Sequence, residues 1–242
     1  GRVAGRNRGG HVPFSFDIAP YLKPGPNRIT VRVEDRQDPY QPRGKQSSSG
    51  TPVRIYYYCT SGIWQNVWLE PVPALRIDYL RVTECRPDGT LALNVHLHGP
   101  SSDWQAELDV LDELDSEQVV AQARTSSHSA CLELRTQVPA PRPWSPSDPH
   151  LYKLRVRLLH RGQLVDTVES YAGLRSIELK DGWFHLNGER IFLLMALDQG
   201  YWPDTLLAAP NDEALREDVL WAKRFGFNGV RKHQKIEHER WL

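Results

Sequence analysis

Between residues 75 and 171 the apolar positions fall into seven short runs separated by turn residues, and within them apolar and polar side chains tend to alternate. Leu91-Ala-Leu-Asn-Val-His-Leu and Leu132-Glu-Leu-Arg show the period of two most clearly. That period puts one face of a strand inside and the other in water. The runs predict strands over Leu75–Val82, Thr90–Leu97, Trp104–Leu111, Gln118–Ala123, Cys131–Val138, Tyr152–Leu159 and Leu164–Tyr171. Seven short strands in about 100 residues form the pattern of an immunoglobulin-like sandwich.

The flanks read differently. Before residue 74, short apolar stretches at His11–Ile18, Ile29–Val33, Val53–Tyr58 and Ile63–Leu69 predict further strands, separated by the Pro24-Gly25-Pro26-Asn27 turn and a polar loop over residues 35–51. A loop of that length in a compact domain is functional or mobile. After Gly173 the period changes. Trp183–Leu186 and Ile191–Leu194 flank Asn187-Gly188 and predict a hairpin. The stretch from Asn211 to Phe225 predicts a helix, with Asn211 as N-cap, acids in the first turn and Gly226 just past the end. Its apolar face is Leu215, Val219, Ala222 and Phe225, and a strand over Phe227–Val230 follows. Strand, helix and strand in that order open a parallel β/α fold. A complete (β/α)8 barrel needs about 250 residues, so the third domain is expected to be incomplete. The fold class is multidomain and mostly β.

Composition narrows the function. Thirty basic and 30 acidic residues give zero formal net charge, which argues against a nucleic-acid partner, and no apolar run suits a membrane span. The eight Trp and nine Tyr fit sandwich cores and sugar-stacking surfaces alike. Cys59, Cys85 and Cys131 are too few and too scattered for a disulfide framework or a zinc site and are expected to be buried thiols. His96 and His98 share a strand face without an evident third ligand, so no metal or cofactor is expected. The opening Gly1-Arg2-Val3 and the ending Trp241-Leu242 suggest a piece of a longer protein.

Four stretches then carry a resemblance to glycoside hydrolase family 2, the family of β-galactosidases, β-glucuronidases and β-mannosidases. Residues 9–22 are similar to its GGHxPFxxDIxxxL stretch, residues 60–70 to SGIWxxVWLE, residues 144–152 to WSPxxPxLY, and residues 184–191 to the LNG entry into the catalytic barrel. The resemblance implies a partial jelly-roll sugar-binding domain over residues 1–73, an immunoglobulin-like sandwich over 74–173 and the start of a (β/α)8 barrel over 174–242. It also implies retaining hydrolysis of a terminal β-linked sugar by two glutamates, both on later barrel strands. No Glu of this chain matches either position, so no catalytic residue is assigned and the chain alone is expected to be inactive. Glu237 and Glu239 read as a solvated helix surface. A non-catalytic carbohydrate-binding or structural β-sandwich module is the alternative.

Residues at the carboxyl ends of barrel strands face the substrate. Met195–Trp202 is therefore expected as a rim loop, with Asp198 and Gln199 hydrogen-bonding sugar hydroxyls and Tyr201 and Trp202 stacking on the ring. Arg231 and His233 end the next strand. Asn228 and Arg231 fit the family's NxxRxxHYP motif, whereas His233 stands one residue early in a variant, RKHxK, which resembles one branch of the family. Pro42-Arg-Gly-Lys-Gln resembles a loop of the same branch. The expected partner is a β-glycoside. Asp198 is expected near Arg231 or Lys235.

Overall fold

A computed structural model of the chain describes residues 1–36, 38–99 and 103–241. It is mostly β and divides into two compact units, residues 69–193 and a second unit made of residues 1–68 together with 194–242.

All seven sandwich strands form where alternation predicts them. One sheet runs β1(Arg76–Cys85)-β2(Thr90–His98)-β5(Cys131–Gln137), and the other β4(Val119–Ser127)-β3(Trp104–Leu111)-β6(Tyr152–His160)-β7(Gln163–Ala172). Every pairing is antiparallel. The inward positions, including Leu91, Leu93, Val95, Leu108, Val110, Leu132, Leu134, Leu154, Val156 and Leu158, close one apolar core around Trp104. Each such side chain contributes about 1.5–3 kcal/mol on leaving water. Tyr152 is buried with them and its hydroxyl accepts from the Arg142 amide at 2.8 Å. On the outer face Arg157 donates to Asp109, and Arg155 bridges Glu117 and Glu169. The same unit carries a small antiparallel sheet, β8(Ile177–Lys180), β9(Trp183–Leu186) and β10(Glu189–Ile191). The Asn-Gly turn between β9 and β10 has φ of 52° and 83°, the left-handed values this dipeptide tolerates.

The strands expected before residue 74 do not form among the described residues. That part of the jelly-roll expectation has only isolated bridges, Gln46 with Tyr57 and Val53 with Tyr56, and one short 3-10 turn at Ala19–Tyr21. Ile29, Val31 and Val33 do alternate, yet all three are at least half exposed. Periodicity marks a side-chain face, but a strand also needs a neighbouring backbone to pair with. The long loop is not uniformly open: Lys45, Gln46 and Ser47 are buried. The Gln46 side chain accepts from the Thr60 amide and hydroxyl and donates to the Arg43 carbonyl.

In the second unit β11(Met195–Asp198) and β12(Gly229–Lys232) pair in parallel, and α1(Asp212–Arg224) lies between them in sequence. Asn211 caps α1 by accepting from the Ala214 amide at 2.8 Å, and Gly226 follows with φ of 82°. Of the expected apolar face only Leu215 is buried, while Phe225 is 70% exposed. Both strands lie later than expected. Ile191–Leu194 is divided between β10 and a connector, and Met195–Asp198 is strand rather than rim loop. In the continuous apolar run Ile191–Leu197 no alternation marks where one strand stops and the next begins.

Among the described residues no helix is long and apolar enough to cross a membrane. Cys85 and Cys131 are free thiols, and all three cysteines are half-buried rather than buried.

Candidate sugar-binding rim

β11 and β12 finish at the same end of their sheet. Their register pairs Leu197 with Arg231 and Asp198 with Lys232. Because strand side chains alternate between faces, the rim has two distinct surfaces. Met195, Leu197 and Arg231 share one face and are exposed. Asp198 and Lys232 share the other, where Asp218 of α1 approaches them.

On that second face the charges are matched. Lys232 Nζ lies 2.6 Å from Asp198 Oδ2 and 2.7 Å from Glu237 Oε2, and Lys235 Nζ lies 3.1 Å from Glu237 Oε2. Lys235 also donates to the Gly200 carbonyl at 2.6 Å, and the Gly200 amide donates to Asp198 Oδ1 at 2.8 Å. The side chains of Lys235 and Glu237 are 1% and 4% exposed. Two rings cover the cations: Trp241 has its centroid 4.3 Å from Lys232 Nζ, and Trp64 is 5.3 Å from Lys235 Nζ. Gly200 makes the gathering feasible. A Cβ there would stand 2.7 Å from Glu237 Oε2, 2.9 Å from Lys232 Nζ and 3.0 Å from Lys235 Nζ, on a backbone with φ of 62°.

Burial acts on each ionisable group. It pushes the Lys235 ammonium below its usual range, against the pull of Glu237. Burial works to raise Glu237, but hydrogen bonding to Lys232 and the charge of Lys235 outweigh it and hold the carboxyl below the usual range. Asp218 is raised by burial and then by the negative charge of Asp198.

The six residues expected at the site are thus not one constellation. Asp198 pairs with Lys232 rather than Arg231, because it stands one register position beyond Arg231 and so on the other face, and its charge also acts on the nearby Lys235 without an ion pair. Tyr201 has one ring face stacked on Tyr57, with centroids 4.1 Å apart and 12° between planes, and burial pushes its hydroxyl up to about 12. Trp202 is half-buried, joined to Leu206 by a backbone bridge, and its indole N–H has no partner among the described residues. Gln199 is half-buried. Arg231 approaches His233, Nη2 to Nδ1 3.4 Å, and the His233 amide donates to the Asp198 carbonyl at 2.8 Å. Glu237 is no solvated surface group, whereas Glu239 is exposed. A mixed-charge run such as residues 232–240 ordinarily forms a solvated face, so nothing local marks the Lys232–Glu237–Lys235 core. A separate cleft of about 420 Å³ opens beside the start of α1, lined by Trp64, Asn66, Pro210, Leu215 and Arg240 among others. None of the six expected residues borders it.

A β-sandwich with an attached parallel β/α element defines the class of protein. Residues 75–175 match the family model described as Glycosyl hydrolases family 2. A Formosa agariphila protein provisionally named β-glucuronidase is 30% identical over 96% of this chain and 27% of its own length. A Thermoanaerobacter pseudethanolicus β-galactosidase is 27% identical over 96% of this chain and 31% of its own. The crystal structure of a Bacteroides uniformis β-glucuronidase superposes with a TM-score of 0.73 at 19% identity, covering 93% of this chain and 28% of that one. Residues 75–175 are thus those of a glycosyl hydrolases family 2 protein, and the similarity to that family's relatives extends over 96% of the chain. It spans between a fifth and a third of the length of the curated relatives it matches.

Proposed function

We propose that the chain contributes the sandwich and the first two barrel strands, residues 174–242, to a retaining glycoside hydrolase acting on a terminal β-linked sugar. In this reading residues 1–73 belong to the jelly roll of that enzyme. The names of the relatives support the reaction class. The observation that carries the reading is the parallel pair β11 and β12, whose carboxyl ends bear Asp198, Arg231 and Lys232 together. In a barrel that end faces the substrate. Arg231 and His233, with Gln199 and Trp202 on the loop after β11, are proposed to meet the sugar. Asp198 and Tyr201, already held by Lys232 and Tyr57, keep that loop in place.

The proposal includes no catalytic pair within these residues. Protonating a leaving glycosidic oxygen takes a carboxyl whose pKa is raised towards neutrality. Glu237 is shifted the other way by two lysines. Asp218 is raised but faces the Lys232 side of the sheet, away from Arg231. Positioning groups alone neither donate that proton nor form a glycosyl-enzyme. The 242-residue chain should release no nitrophenol from a panel of nitrophenyl β-glycosides. Turnover that disappears in Glu237→Gln would show that the acid lies here after all.

A further inference from the structure

The cations of the second unit are not all matched. Lys232 and Lys235 are neutralised by Asp198 and Glu237, but Arg43 and Lys45 have no carboxylate within ion-pair distance among the described residues. Lys45 is 7% exposed and its ammonium lies 5.1 Å from the centroid of Tyr56. Arg43 Nη1 is fully buried without a hydrogen-bond partner among the described residues. The acids on the same long loop are occupied elsewhere: Asp35 accepts from Ser61 and Gln41, and Asp38 from the Tyr40 amide. An uncompensated buried cation is costly; here Lys45 is buried, and two positions away the half-buried Arg43 has one fully buried nitrogen.

The loop that carries them is fixed and seated on the rim. Its backbone bridges to Tyr57, with Ser47 and Tyr57 amides each donating at 2.8 Å. The Lys45 backbone hydrogen-bonds the Tyr201 hydroxyl. Gly44, at φ of 65°, lies flush against the Gln234 carbonyl, so any Cβ there would collide with the residue after His233. Guanidinium and ammonium donors held beside a sugar rim, with their charge unanswered, suit an anion.

We propose that Arg43 and Lys45 form an anion subsite, which takes a carboxylate or sulfate ester carried by the glycan bound at the rim. The sugar part of this inference rests on the function proposed above, whereas the anion part rests on the two cations alone. Arg43 supplies a planar pair of donors and Lys45 a point charge on the Tyr56 face.

Calorimetric titration of the 242-residue chain at fixed ionic strength separates these parts. The probes are methyl β-D-glucuronide, methyl β-D-glucoside 6-sulfate, neutral methyl β-D-glucoside and inorganic sulfate. At least one of the acidic glycosides should bind about tenfold more tightly than the neutral one, the gain expected of one charge-assisted contact. The larger gain tells carboxylate from sulfate ester. Arg43→Met combined with Lys45→Met should erase that preference and leave the neutral glycoside unchanged, and Arg43→Lys should keep part of it. Equal binding of all three glycosides overturns the anion subsite and leaves the sugar rim standing. Sulfate binding that vanishes in the double variant, with no glycoside bound, upholds the subsite and overturns the sugar reading. Binding of neither sugar nor sulfate overturns both, as does a preference that survives in the double variant.

Discussion

The two units are stabilised by different means. Among the described residues, every buried apolar side chain lies in residues 69–193 except Leu207 and Leu215. The buried polar ones divide the other way: Lys45, Gln46, Ser47 and Lys235 belong to the second unit, and only Asp109 and His150 to the sandwich. The sandwich therefore draws on non-directional burial, which tolerates small shifts. The second unit depends on ion pairs and hydrogen bonds whose worth rests on geometry. Held charges and polar loops are what recognition of a sugar requires, and an oily core offers none of them. In this chain the unit that contributes most to stability is not the one proposed to meet the sugar.

The largest effect that would break this contrast is in the core. Trp104→Ala should cost about 3–5 kcal/mol, and amide exchange should show the lost protection throughout β1–β7 while the second unit keeps its own. Next, Glu237→Leu should destabilise the second unit by about 3 kcal/mol, because it strands Lys235, and Lys235→Met should cost less, because Glu237 keeps Lys232. The double variant should recover most of that loss in urea titrations followed by residue-resolved signals. Additive losses would mean the pair is not coupled. Gly200→Ala comes third, at about 1–2 kcal/mol for the left-handed backbone, and it should also displace the Lys232 and Lys235 signals that Gly162→Ala leaves alone.

The smallest effect is acid sensitivity. Glu237 sits below its usual value of 4.5 in the folded chain, so folding favours its ionised form. That stabilisation is complete above the unfolded value and is lost as pH falls through the lowered folded value. Asp109 does the same for the sandwich below 3.8: burial raises it, but the hydrogen bonds from Arg157 and Gln122 together prevail. Glu237→Gln should flatten the acid arm of the second unit only, and Asp109→Asn that of the sandwich only. A shared response would contradict two separately held units.

Legibility in the sequence follows the same division. Leu91, Leu93 and Val95 alternate because the sheet they build has one dry face, so their strand is written locally, and α1 is written by Asn211 and Gly226 at its ends. The start of β11 is hidden inside an unbroken apolar run. The strand at Ile29–Val33 is suggested by residues that find no backbone to pair with. The ion-pair core was hidden more deeply. Lys235 reaches Gly200 across 35 positions, and only the parallel register of β11 and β12 brings Lys232 to Asp198. Long-range polar contacts leave no period in the chain, whereas buried apolar faces do.

The central claim is that the second unit, and within it the exposed face ending in Arg231, receives the sugar. Chemical-shift mapping of the isotope-labelled chain during titration with methyl β-D-glucoside tests it most directly. The account predicts shifts concentrated at the amides of residues 198–202 and 230–233 and at the indole of Trp202, with the amides of β1–β7 unmoved. Shifts centred on the sandwich, or confined to the cleft beside the start of α1, would contradict it.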